Sequence, residues 1–177
     1  MTQALNTQAL STQANTSKAN LAGKTALVTG GSRGIGAAIA RKLATDGAAV
    51  AITYSSSAQQ AEQLIADIRS TGGKALAIRA DAQDADAVKQ AVAKTVAEFG
   101  GLDILVNNAA TNPVFGPIAE TEEWAYDKIM QVNVKAPLEL SKLVYPIMKA
   151  NGGGSIINVS SVAGLISDYG LGLYAII

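Results

Sequence analysis

The apolar run Ala26-Leu27-Val28 empties into Thr29-Gly30-Gly31-Ser32-Arg33-Gly34-Ile35-Gly36 and then into an Ala-rich amphipathic segment, a succession that few folds can use. It reads as a buried strand, a glycine turn and a helix. Glycines let the backbone turn tightly and bring its N–H groups close to a phosphate, and the following helix points its positive end at the same place. The residues that would face a nucleotide are Gly30, Ser32, Arg33, Gly34, Ile35 and Gly36. The spacing is TGxxxGxG, not GxGxxG, and such a turn also serves as a plain strand-to-helix connection. The rest of the chain has to decide between the two.

From residue 24 onward, short β-branched or apolar runs alternate with longer amphipathic ones. Strands are expected at 25–29, 49–54, 74–80, 104–107 and 155–160, and helices at 34–46, 58–70 and 84–99, each helix followed by glycine. A longer helical stretch, 121–150, opens with Glu122 and Glu123 near its positive end, contains Pro137 and Pro146, and stops at three glycines. The prolines should kink or divide it. This alternation predicts an α/β fold with a doubly wound, Rossmann-like parallel sheet in one domain over 21–177, preceded by a flexible polar tail over 1–20. Parallel sheets of this kind take ligands at the carboxyl ends of their strands. The glycine loop is one such place, and the others are Tyr54 to Ser57, Asp81 with Ala82, Asn107 to Ala110, and Ser160 with Ser161.

Composition removes several alternatives. Formal net charge is zero and no basic block occurs, so the footprint of a nucleic-acid or anionic-membrane binder is missing. There is no cysteine and no histidine, which argues against a zinc site and against Ser-His or Cys-His catalysis. No apolar run is long enough to span a membrane, and the first twenty residues lack the apolar core of a secretory signal. A cytoplasmic protein whose partners are small molecules or other protein chains is the expectation.

The ordered set Thr29 to Gly36, Asp81, Asn107-Asn108-Ala109, Asn133, and Ser161 followed thirteen positions later by Tyr174 resembles the classical short-chain dehydrogenase/reductase family, over residues 21–177. The resemblance implies that Asp81 accepts a hydrogen bond from the adenine amine and that Asn107, Asn108 and Ala109 tie the sheet together and line the cofactor cleft. Ala110 stands where the family usually has glycine. Asn133 becomes the catalytic asparagine that positions a proton-relay water, Ser161 a donor to the reacting oxygen, and Tyr174 the acid in reduction and the base in oxidation. Read without the family, Asp81 is a polar residue near a helix cap, the asparagines form a turn, Asn133 is an exposed helix residue, and Tyr174 is a packed aromatic.

The cofactor choice follows from charge. Sites for NAD place a carboxylate about 20 residues past the glycines, at the end of the second strand. Here that place holds Tyr54, and no carboxylate occurs between Asp46 and Glu62. A ribose 2′-phosphate would meet the hydroxyls of Ser55, Ser56 and Ser57 and the guanidinium of Arg33, so NADP(H) is expected over NAD(H). The expected activity is hydride transfer between nicotinamide and a carbonyl or alcohol substrate, of the 3-oxoacyl or other ketone reductase type, with no metal. Intact relatives are usually homodimers or homotetramers. A catalytic tyrosine must lose about three units from a pKa near 10, roughly 4 kcal/mol of preferential phenolate stabilisation. The family supplies the cation with lysine in YxxxK, and this sequence ends at Ile177, one residue short of that position. A polypeptide ending there is expected to be aggregation-prone and nearly inactive. Two rivals remain open: a non-catalytic dinucleotide-binding or interaction protein, and an epimerase of the extended branch, which typically carries TGxxGxxG instead.

Overall fold

The computed structural model describes residues 20–166 and 169–176; the expected tail up to residue 19, together with Asp168 and Ile177, lies outside the described residues. Five strands, β1 (Thr25–Val28), β2 (Ala49–Tyr54), β3 (Ala75–Arg79), β4 (Ile104–Asn107) and β5 (Ser155–Asn158), form one sheet in the order β3-β2-β1-β4-β5. All pairings are parallel, with Ala26 opposite Val50 on one side and Ile104 on the other. Each connection contains helix: α1 (Gly34–Thr45), α2 (Ala58–Ser70), α3 (Ala85–Phe99), and, between β4 and β5, α4 (Glu123–Ile129) and α5 (Ala136–Ala150).

Alternation along the strands sorts the core into two layers. Ala26, Val28, Val50 and Ile52 pack with Ala40, Leu64 and Ile68 of α1 and α2. Leu27, Ala51 and Leu105 pack on the opposite face with Val88, Val92, Leu140 and Val144 of α3 and α5. The three central strands are therefore buried on both faces, and their carboxyl ends emerge together along one edge of the domain.

Element ends differ from the sequence expectation where side chains take over the hydrogen bonding. β5 stops at Asn158, two residues early, and α3 begins at Ala85 because the Asp84 carboxylate caps it, accepting from the N–H groups of Asp86 and Ala87 at 3.0 Å each. The single helical stretch expected over 121–150 is divided, and the division lies before Pro137. A six-residue π-helical stretch, Met130–Lys135, separates α4 from α5. Pro137 has no N–H to give the carbonyl of Asn133, four residues earlier, and its ring crowds that carbonyl, so a wider turn accommodates it. Pro146 lies inside α5 without dividing it; it is on the exposed face, where water can serve the orphaned carbonyl. Among the described residues no helix is long and apolar enough to cross a membrane.

Candidate active site

The loop after β1 is locked to the loop after β4 by one hydroxyl. Thr29 Oγ1 accepts from the backbone N–H groups of Asn108 (2.9 Å) and Ala109 (3.0 Å) and donates to the Val106 carbonyl (3.3 Å). Asn108 completes the tie, its Nδ2 donating to the carbonyls of Thr29 at 2.8 Å and Gly30 at 3.2 Å. On the other side Thr53 holds the turn, accepting from Gly30 N–H through its hydroxyl and from Gly31 N–H through its carbonyl. Thr53 was not among the residues singled out from the sequence, where it is one β-branched residue in a strand of them.

These ties leave no room for side chains. A Cβ on Gly36 would stand 2.5 Å from the Gly30 carbonyl oxygen and 2.6 Å from Asn108 Nδ2, and one on Gly31 would stand 2.6 Å from Ile52 Cγ2. Gly30 and Gly34 have φ of 61° and 55°, in the left-handed region. The helix that follows has no side-chain cap and no acidic residue in its first turn. Its first N–H groups and its positive end are thus available to an anion. A cradle this closely built, ending in an uncapped helix, fits the pyrophosphate of a dinucleotide.

The cradle opens into a groove of about 680 Å³. Gly30, Ser32, Arg33, Gly34, Ile35 and Gly36 line one side; Tyr54, Ser55 and Ser56, Asp81 and Ala82, and Asn108, Ala109 and Ala110 complete it. Gln83, Thr111, Lys128 and Val132 also line it, and nothing in the sequence had marked them. Asp81 is not the helix cap, a role that falls to Asp84. One of its oxygens accepts from the Gln83 N–H at 2.9 Å.

A second groove, about 390 Å³, lies between β4, β5 and α5, and Asn133, Ser161 and Tyr174 all line it. Asn133 sits in the π-helical stretch with both ends of its amide on Thr111: Oδ1 accepts from the Thr111 N–H (2.8 Å) and Nδ2 donates to the Thr111 carbonyl (2.9 Å). Ser161 Oγ accepts from the Ala163 N–H at 3.2 Å, which leaves the hydroxyl proton to be donated elsewhere. Tyr174 opens a short 3-10 turn and is placed by its neighbour Leu173, which is buried against Val114, Ala125 and Ile129. No hydrogen bond joins Ser161 to Tyr174. Beneath them Asn107 Nδ2 donates to Asn158 Oδ1 (2.9 Å), linking β4 to β5, while Asn107 Oδ1 is buried with no hydrogen-bond partner among the described residues.

Comparison with known proteins agrees with this geometry. The family model described as short chain dehydrogenase matches residues 24–175. The human dehydrogenase/reductase SDR family member 4 is 42% identical over 154 residues, which is 87% of this chain and 55% of that protein. The 3-oxoacyl-[acyl-carrier-protein] reductase FabG of Staphylococcus aureus is 40% identical over 152 residues, 85% of this chain and 61% of its own length. A short chain dehydrogenase of Burkholderia cenocepacia, solved in complex with NADP, superimposes with a TM-score of 0.80 at 43% identity, covering 89% of this chain and 63% of that one. The chain thus spans a little over half the length of the curated relatives it matches. The cradle, the strand order and the matched span lead to one assignment: this chain belongs to the short chain dehydrogenase family.

Proposed function

We propose that the chain forms the cofactor-binding and catalytic part of an NADP(H)-dependent oxidoreductase acting on the carbonyl or alcohol group of a small molecule, of the 3-oxoacyl or other ketone reductase type. The observation that carries this reading is that the two grooves share Ala109 and Ala110. A dinucleotide anchored at the glycine cradle would extend toward those residues and end beside Asn133, Ser161 and Tyr174. When bound in reduced form it supplies a hydride. The chain's own residues handle the oxygen: Tyr174 gives its phenolic proton to the substrate oxygen, and Ser161 holds that oxygen through its free hydroxyl proton. Asn133 fixes the loop at Thr111 against the helix, and its carbonyl, which Pro137 cannot serve, is the acceptor for the water that returns a proton to Tyr174.

Preference for NADP(H) rests on the end of β2. A 2′-phosphate there meets Arg33, whose guanidinium makes no hydrogen bond or ion pair among the described residues, and the three serines, in a stretch with no carboxylate between Asp46 and Glu62. Isothermal titration tests this directly. The parent should bind NADPH at least tenfold more tightly than NADH, and Arg33→Ala should lose most of that difference by weakening NADPH alone. Equal dissociation constants in the parent would reject the assignment, and NADPH binding without turnover of any ketone would favour a non-catalytic binding protein. The outer side of α4 and α5 exposes Trp124, Leu138 and Tyr145, which supports a homodimer or homotetramer built on those helices. The expected compartment is the cytoplasm, where the reduced dinucleotide is available.

A further inference from the structure

We propose that Arg79, at the carboxyl end of β3, is a second guanidinium of the ribose 2′-phosphate site and sets the cofactor preference together with Arg33; this rests on the NADP(H) reading above. The sheet order is the starting point. β2 lies between β1 and β3, so the loop that carries Arg33 and the strand end that carries Arg79 flank the carboxyl end of β2 from its two sides. The register adds direction. Arg79 pairs with Tyr54, and in-register residues of parallel strands project from the same sheet face. Tyr54 packs against the α1–α2 layer, so Arg79 projects to the face on which α1 begins.

Arg79 stands beside the groove and is tied to one of the residues that line it. Its Nε makes a long hydrogen bond, 3.4 Å, to the carbonyl of Ser55, a residue that lines the groove. That contact holds the side chain beside Ser55 while its two terminal nitrogens keep their N–H donors. The side chain is exposed, and the ion pairs of the described residues involve Lys24, Arg41, Lys42, Lys89 and Lys142, never Arg79. An arginine held at the rim of an anion site, with free donors and no carboxylate partner, suits a phosphate dianion, which takes two guanidinium groups better than one. The sequence hides this because Arg79 is 25 positions past Tyr54 and becomes its neighbour only through strand pairing.

The test uses two probes that differ by the one phosphate in question, 2′,5′-ADP and 5′-AMP, titrated calorimetrically into the parent, Arg79→Gln, Arg79→Lys and Arg33→Ala. Arg79→Gln is expected to weaken 2′,5′-ADP about tenfold and 5′-AMP less than twofold, with Arg79→Lys recovering part of the loss. A parent that binds both probes equally removes the NADP(H) reading and this inference with it. A parent that discriminates, and loses discrimination with Arg33→Ala but not with Arg79→Gln, overturns this inference alone. Equal weakening of both probes by Arg79→Gln also overturns it, because Arg79 would then act only by holding the Ser55 backbone.

Discussion

At Gly36 one absent methyl group separates a closed cradle from an open one. Alanine there would drive Cβ to within 2.5 Å of the Gly30 carbonyl and push Asn108 off the two carbonyls it holds. Gly36→Ala is therefore expected to weaken NADPH by about a hundredfold or more and to lower the thermal midpoint by several degrees, read by calorimetry and by scanning fluorimetry. Replacing Gly34, where a Cβ would meet nothing within 4 Å, strains only the backbone and should cost far less. The sequence showed that glycines were needed here but not which contact demanded each. The atoms that crowd Gly36 come partly from Asn108, 72 positions away, and local pattern carries no information about such a neighbour.

Among the elements, the strands and the first three helices were legible because each has its own period and its own punctuation. Asp84 before α3 and Gly100 after it are examples, the first capping with its carboxylate and the second taking φ of 84°. The helical stretch between β4 and β5 was legible too, with a kink or division expected at its prolines, but the π-helical form of that division was not, since such a stretch has no hydrophobic period of its own. The turn that carries Tyr174 has weak local support as well. It is held by Leu173 in a small apolar cluster and by the Gly116 N–H to Gly170 carbonyl bond of 2.9 Å. Leu173→Ala should free this segment without unfolding the sheet. The expected result is at least tenfold faster amide exchange at Gly116, with the amides of Val28 and Leu105 unchanged, as read by NMR or mass spectrometry.

Across the whole molecule the sheet is unevenly protected. β3, at one edge, has Ala75 and Ile78 buried, whereas β5, at the other, is exposed throughout, with Ile156 and Ile157 39% and 47% accessible. An exposed, apolar edge strand is a template for pairing with another chain. The 177-residue polypeptide is accordingly expected to grow in light-scattering mass with concentration, and Ile157→Lys to suppress that growth while leaving NADPH affinity within twofold. The tie between Thr29 and Asn108 also has a meaning in time. During synthesis the glycines emerge long before the residues that lock them, and about eighty more must be made, with β4 docked beside β1, before the cradle exists. A dinucleotide would thus have nothing to grip on a half-made chain, and the closing of the cradle marks the moment at which the two halves of the sheet have found each other.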